Sequence, residues 1–518
     1  MDAIVVLDFG GQTTQLIGRR IRELGVYSEI RPGATPAAQI VDMPGVTVKG
    51  IVLSGSPASV HDPRAPEPDP ALFDLGIPIL GICYGLQSMV ARGGGEVARS
   101  TSREYGRAKL RFAADHPLFD GVPEGFTSWM SHGDHVLSVP EGARIVAQSE
   151  HGVPAAIEFP GRQIGIQFHP EVTHCEHGTR ILENFAVGIA RAATEWSLES
   201  YVDEASRTVR ETVGEEPVLL LISGGVDSTV VAALLLRALD PDQVYLMYVN
   251  TGLMRKGESE EVAVALEKLG ARHLDLIDAS TEFLAALAGV DDPEKKREII
   301  GDLFIGVQSR QIAARIPGDY FLAQGTIYPD VVESGGGVGT HAHVIKSHHN
   351  VRSPLVAAKR EAGRLIEPLS RLYKDEVRRL GTILGVSPDV ISRHPFPGPG
   401  LAVRILGEVT EEKCRILREA DAIYISELRE RGLYDRIWQA FCVLLPIRSV
   451  GVTGDTRHYG YVLALRAVNS IDAMTADVFP FSADDLLSIS ARITNRVPEI
   501  GRVVYDVSSK PPATIEWE

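Results

Sequence analysis

The chain has 518 residues, 44% of them apolar, and a formal net charge of −16. At roughly 150 residues per domain this length allows about three cores, and the acidic balance excludes broad nucleic-acid binding, which needs Lys and Arg against phosphates. The four cysteines (Cys83, Cys175, Cys414 and Cys442) are too widely spaced for a disulfide framework or a zinc pattern, so a reducing, cytoplasmic setting is expected. The first residues, MDAIVVLDFGG, read as a strand and not as a leader peptide. No run reaches the roughly 18 apolar residues of a membrane span, so no membrane partner is expected.

Short apolar runs alternate with helical patterns through the first 190 residues. Residues 3–7 (AIVVL), 50–53 (GIVL), 77–82 (IPILGI) and 163–168 (QIGIQF) read as buried strands, with a helix over 12–24 between the first two. This alternation predicts an α/β layer fold. Asp8-Phe9-Gly10 spells a kinase tripeptide, but no other kinase element accompanies it, so it reads as a strand end and turn. A polar amphipathic segment over 193–213 carries the first domain boundary. Val218–Ile222 (VLLLI) then reads as a strand, 228–239 as a helix and 244–249 as a strand, opening a second α/β pattern. Residues 335–339 (GGGVG) read as a glycine loop beside His341, His343, His348 and His349, which lack a Cys partner and are not read as metal ligands. Residues 394–401 (HPFPGPGL) cannot continue a helix or a central strand and mark the second boundary. The remainder mixes helices with late strands such as 461–468. The domains expected are 1–195, 196–393 and 394–518.

Two stretches carry chemistry. Gly81-Ile82-Cys83-Tyr84-Gly85 follows an apolar strand and precedes a helical pattern over 86–91, a strand–turn–helix arrangement that lifts Cys83 outward at a helix N-terminus, where thiolate is favoured. In Gln167-Phe168-His169-Pro170-Glu171, strand alternation would place His169 and Glu171 on one face, as a base and its orienting carboxylate require. The second stretch is Ser223-Gly224-Gly225-Val226-Asp227-Ser228-Thr229, between a strand and a strong helix. Its glycines, hydroxyls and helix-terminal amides suit phosphate, yet it lacks the lysine of a Walker A loop. Asp227 there requires a cation between itself and phosphate, so Mg²⁺ is expected.

The first stretch resembles the triad of class I glutamine amidotransferases, with catalytic Cys83, His169 and Glu171. Residues 53–57 (LSGSP) resemble that family's oxyanion loop. It often has two glycines where this chain has Gly55-Ser56, and a backbone N–H remains at Ser56. The resemblance further implies glutamine contacts at Tyr84, Gln87, Ser131, His132 and Gly133. The second stretch resembles the pyrophosphate loop of N-type ATP pyrophosphatases, which split ATP between its α and β phosphates. It implies ATP contacts through Ser223–Thr229 and Gly325, with Lys374 as a pyrophosphate clamp. Residues 324–330 (QGTIYPD), 345–350 (IKSHHN), 394–401, 450–457 and the tail 510–518 (KPPATIEWE) resemble the GMP synthase family nearly end to end.

That last resemblance implies a class I amidotransferase α/β domain, a central adenine-nucleotide α-hydrolase-like parallel-sheet domain and a C-terminal α+β dimerisation domain. It implies XMP contacts at Arg448, Lys510, Ile515 and Glu516, ATP, glutamine and XMP as substrates, and a homodimer. Glutamine-dependent NAD synthetases usually carry a nitrilase-type glutaminase, and the Cys–His–Glu pattern speaks against that alternative.

Overall fold

The computed structural model describes residues 1–316, 318–334, 354–453, 456–470 and 475–518. The expected loop at 335–339, the four histidines beside it and the stretch 345–350 lie outside the described residues. Two units divide the chain, one built on Met1–Tyr201 and the other on Val202–Tyr328 together with the residues from 354 onward.

The first unit carries a nine-stranded sheet of β1 (Asp2–Asp8), β2 (Tyr27–Pro32), β3 (Thr47–Leu53), β4 (Ile79–Ile82), β5 (Glu96–Phe112), β6 (Thr127–Ser138), β7 (Arg144–Ser149), β8 (Pro154–Phe159) and β9 (Gln163–Ile166). Their order is β2-β1-β3-β4-β9-β8-β7-β5-β6. The first five in that order run parallel, and the remaining pairs are antiparallel. Parallel strands need helical crossovers that cover both faces, which is why they read as continuous apolar runs. Ala3–Leu7 of β1 and Ile79, Leu80 and Ile82 of β4 are accordingly fully buried. The carboxyl ends of β1, β3, β4 and β9 lie along one edge, where such sheets present their functional loops.

Three expectations need adjustment. The strand expected over 163–168 stops at Ile166, so His169 and Glu171 follow the strand and do not share one of its faces. Pro170 between them has no N–H for a ladder. The amphipathic segment over 193–213 is helical only at Leu198–Val213. The helix expected at 228–239 spans Val226–Ala238 and so begins directly off the glycine loop. Asp8-Phe9-Gly10 is a strand end and turn as expected: Asp8 Oδ1 accepts from the Gly10 N–H at 2.8 Å and from the Thr14 hydroxyl at 2.9 Å.

The second unit opens with a parallel sheet of β10 (Val218–Ile222), β11 (Val244–Asn250), β12 (His273–Asp278), β13 (Phe321–Ala323) and β14 (Leu365–Ile366), in the order β12-β11-β10-β13-β14. The chain leaves β10 toward β11 and later returns on its other side at β13. β10 and β13 therefore flank a topological switch point, the usual place for a ligand in an open α/β sheet. A second sheet pairs β15 (Gln439–Thr453) with β16 (Thr456–Asn469), and β16 also pairs with β17 (Asp477–Val478) and β18 (Ile500–Tyr505). One core cluster runs from Leu219, Met247 and Phe283 to Leu401, Cys414, Tyr424 and Leu463, so residues on both sides of 394 share it.

His394 sits in that shared region, buried and stacked on Tyr434 at 3.9 Å between ring centroids. Its Nδ1 accepts from the Ala440 N–H at 3.1 Å, and its Nε2 lies 3.0 Å from the Tyr434 carbonyl, which accepts from it. A second ring proton would face the Ala440 N–H. Burial pushes His394 down to about 4. The unfolded chain therefore binds a proton near the ordinary value of about 6.5 that the fold refuses until about 4. Stability should fall by about 3 kcal/mol from this group as pH drops through that window. Urea unfolding of the second unit at pH 7 and 4.5 measures it, and His394→Gln, which keeps a donor and an acceptor without titrating, should flatten the dependence.

Candidate active sites

Cys83 stands between β4 and the helix Tyr84–Arg92 with φ 53° and ψ −103°, near the strained γ-turn region that side chains seldom adopt. Close packing enforces this turn. A Cβ on Gly85 would lie 2.4 Å from the Leu53 carbonyl oxygen, and one on Gly81 would lie 2.7 Å from Met89 Sδ and from the Gly85 carbonyl carbon. The helix can begin immediately at Tyr84 only because neither position carries a side chain. Its first N–H groups then have no intrahelical acceptor.

The thiol meets groups from two other segments, β6 and the stretch after β9. Its Sγ lies 3.8 Å from the Ser131 carbonyl on β6 and 3.7 Å from Gln167 Nε2. The Cys83 N–H donates to the Ile166 carbonyl at 2.8 Å, which ties the turn to the end of β9. Three residues beyond Ile166, the His169 imidazole comes close enough to Cys83 for the two side chains to interact. Its Nδ1 donates to Glu171 Oε1 at 2.7 Å, and Glu171 is fully buried. The second carboxylate oxygen of Glu171 has no hydrogen-bond partner among the described residues. Burial alone would push the imidazole down, but the Glu171 charge and the neighbouring Cys83 outweigh it and hold His169 well above 6.5. The pair thus stabilises an imidazolium beside the sulfur, the charge state in which a thiol gives up its proton.

The other residues expected here fall into three groups. Gly55 packs against both His169 and Cys83, since a Cβ on it would lie 3.3 Å from His169 Cε1 and 3.8 Å from Cys83 Cβ. The Ser56 hydroxyl accepts from the Ala58 N–H at 3.1 Å, shaping the loop after β3. Tyr84 and Gln87 point inward. The Tyr84 hydroxyl donates to the Pro66 carbonyl at 2.6 Å, and burial pushes its pKa up to about 12. Gln87 Nε2 donates to the Asp134 carbonyl at 2.9 Å. Ser131 and Gly133 are exposed on β6, with Ser131 turning its carbonyl to the thiol; the side chain of His132 lies outside the described residues.

In the second unit, Ser223–Gly225 turns at the carboxyl end of β10. Gly224 has φ 78°. The Ser223 and Ser228 hydroxyls are 3.1 Å apart, and Ser228 and Thr229 both donate to the Gly225 carbonyl, at 3.1 and 3.0 Å. Gly325, just past β13, closes the other wall: a Cβ there would lie 3.3 Å from Asp227 Cβ and from the Ser228 nitrogen. This is the switch point. Lys374 opens the helix Lys374–Ile383 and sets its ammonium on both oxygens of Asp227, at 2.7 and 2.6 Å. The loop thus has a lysine partner after all, supplied from 147 residues away. Arg393 is a further cation that no motif signalled. Its guanidinium donates to the Gly224 carbonyl at 3.1 Å and to Glu261 at 2.5 Å.

The residues expected around a third ligand are not all brought together. Ile515 is buried among Phe441, Val443, Ala464, Val468 and Ala476. Glu516 accepts both arms of the fully buried Arg404, at 2.9 and 3.1 Å, and a bond from Gln439 Nε2 at 2.7 Å. The Lys510 backbone pairs with Ala476 close to β17. Arg448 instead pairs with Tyr461 further along the ribbon, where its side chain donates to the Tyr461 hydroxyl at 3.0 Å. Ile515 packs against Ala464 of β16, three residues from Tyr461, so roughly 10 Å of strand, at about 3.3 Å per residue, lies between Arg448 and the nearest part of the tail. Arg404 and Gln439 went unnoticed in the sequence because each lies far along the chain from Glu516 and belongs to no short pattern.

Comparison with known proteins accounts for this arrangement. Residues 5–189 match the class-I glutamine amidotransferase family, 202–293 the asparagine synthase family, and 426–517 the GMP synthase C-terminal domain. The protein is a ligase that pairs a glutamine amidotransferase with an ATP-using synthetase. It is 50% identical over 516 residues to the glutamine-hydrolysing GMP synthase of Aquifex aeolicus, covering 99% of each chain. It is 51% identical to that of Chlorobium chlorochromatii, with full coverage of both, and 52% identical to that of Thermus thermophilus, with 99% and 100% coverage. The chain belongs to the glutamine-hydrolysing GMP synthase family. No helix among the described residues is long and apolar enough to cross a membrane.

The Gly85 packing yields a direct test. Gly85→Ala adds a good helix former to a helix, which alone would stabilise by up to about 1 kcal/mol, yet the new Cβ meets backbone. Thermal unfolding should show the first unit destabilised by roughly 1–3 kcal/mol, with glutamine hydrolysis falling more steeply than stability.

Proposed function

We propose that the chain makes GMP from XMP, ATP, glutamine and water, releasing AMP, pyrophosphate and glutamate, with the two steps divided between the two units. The observation that carries this reading is the thiol of Cys83 beside a His169 that is itself hydrogen-bonded to the buried Glu171, in a chain that matches its relatives along its whole length. In the first unit, Cys83 sulfur attacks the side-chain amide carbon of glutamine after its proton passes to His169. The C–N bond breaks, His169 returns the proton to the departing nitrogen, and ammonia leaves. Water then hydrolyses the glutamyl thioester. The backbone N–H groups at Ser56 and at the start of the helix Tyr84–Arg92 are the candidate donors to the oxyanion.

In the second unit, the 2-oxygen of XMP attacks the α-phosphorus of ATP and pyrophosphate leaves. Ammonia adds at the purine carbon, and AMP departs with its oxygen. The Ser223–Thr229 loop would hold the β and γ phosphates through hydroxyls and helix-terminal amides. Mg²⁺ usually binds through one or two carboxylates plus substrate phosphates. Asp227 beside the Ser223 and Ser228 hydroxyls fits that requirement, and a bound ion would neutralise charge on the phosphates. Lys374, displaced from Asp227, would then reach the pyrophosphate. Lys510 and Glu516 would bind XMP, with Ile515 as packing beneath them.

Arg448 lies on a ribbon that is both exposed and apolar: Ile447 is 56% exposed, Val452 73% and Tyr459 62%. Such a face supports a homodimer, in which Arg448 would reach a nucleotide from a second copy. Functional domains at 1–195, 196–393 and 394–518 follow the same division of labour.

Cys83→Ala should abolish glutamine-driven GMP synthesis and leave synthesis from ammonium salts within about twofold, whereas Asp227→Ala should lower both by roughly a hundredfold or more. Loss of ammonia-driven synthesis in folded Cys83→Ala would refute the division. Light scattering tests the assembly, with Val452→Asp expected to halve the apparent mass.

A further inference from the structure

Lys296, in the helix Pro293–Arg315, is fully buried. An ammonium has three donors and is costly to bury unless each is used and the charge is matched. Here all three are used: Nζ donates to the carbonyls of Ala402 and Ile405, at 3.1 and 2.8 Å, and to Glu518 Oε2 at 2.5 Å. The two carbonyls bracket Arg404, the equally buried cation that holds Glu516. One short turn therefore grips two acids of the tail, Glu518 through Lys296 and Glu516 through Arg404. Trp517 between them turns the other way, its indole N–H donating to Asp506 at 3.0 Å. The Arg404 guanidinium is fixed in turn between the rings of Phe441 and Phe396, at 4.1 and 4.9 Å.

A clamp serving stability alone would not need this chemistry, because apolar residues of similar volume commonly do as well as a buried ion pair. What charges supply that hydrocarbon does not is direction. We infer that Lys296 is a positioning residue for the nucleotide pocket: with Glu518 it fixes the tail, and with the 402–405 turn it sets the angle at which Glu516 meets XMP. This rests on the reading that Glu516 contacts XMP. Lys296 itself touches no substrate.

The test uses the full chain with ammonium salts as nitrogen donor, so that the glutaminase does not enter. Lys296→Met and Glu518→Gln should each raise KM for XMP roughly tenfold while KM for ATP and kcat stay within about twofold. Unchanged KM for XMP in both variants, or KM for ATP and kcat shifting along with it, would overturn the inference and leave a structural role. Should Lys296→Met fail to fold, Glu518→Gln decides alone, since it removes the partner charge while the carbonyl contacts remain. Glu516→Gln separates the two levels. If it leaves KM for XMP unchanged, the reading of Glu516 fails; if it raises KM while the other two variants do not, only the positioning role fails.

Discussion

The contact between Gly85 and the carbonyl of Leu53 governs the first site. Two parallel strands, β3 and β4, lie side by side, and the helix after β4 must start at once for Cys83 to project from the turn. A single methyl group would push that helix off the sheet. Once the helix is seated, the rest follows from register. Ile82 pairs with Ile166, so the residues just after β4 and β9 face one another, and the thiol meets an imidazole reached three residues later. Burial makes the arrangement chemically useful. Glu171 has no exposed surface, and it acts on His169 through both its charge and a 2.7 Å hydrogen bond.

In the second unit the recurring device is the buried cation hydrogen-bonded to the tail. Arg404, Arg466 and Lys296 have no exposed surface, and each secures part of the tail. Arg466 donates to the carbonyls of Ser508 and Thr514, at 2.5 and 3.2 Å. The tail has few apolar anchors of its own, chiefly Ile515 and Trp517. Directed hydrogen bonds do there what side-chain packing does in β1 or β10.

Legibility in the sequence followed the range of the signal. The strand Val218–Ile222 could be read to the residue, because an unbroken apolar run between a proline and a glycine loop has few other readings. The Cys83 turn and the Ser223–Thr229 loop were legible for the same reason: their chemistry is local. The expected contact between His169 and Glu171 forms although the strand expected to carry them ends at Ile166, so it rests on a different backbone from the one read in the sequence. Side-chain contact at two residues' spacing survives the loss of the strand. Lys374 was placed by family likeness, but nothing local announced its grip on Asp227. Arg393, Arg404, Gln439 and Lys296 stayed hidden because their partners lie tens to hundreds of residues away and only tertiary folding joins them. Ile515 and Glu516 stood out in the tail, yet their burial and pairing could not be read from so short and proline-rich a stretch.

The pairing of Lys374 with Asp227 has one more consequence. An anion loop with its own lysine is attractive to any phosphate that diffuses in. Here the lysine charge is matched by Asp227, and the second cation at the loop, Arg393, is likewise matched by Glu261. Because Lys374 and Asp227 are both partly exposed, parting them costs only about 1 kcal/mol. On the function proposed above, a nucleotide arriving with a counter-ion would trade partners cheaply, whereas inorganic phosphate or a bare nucleotide would have nothing to exchange for the carboxylate.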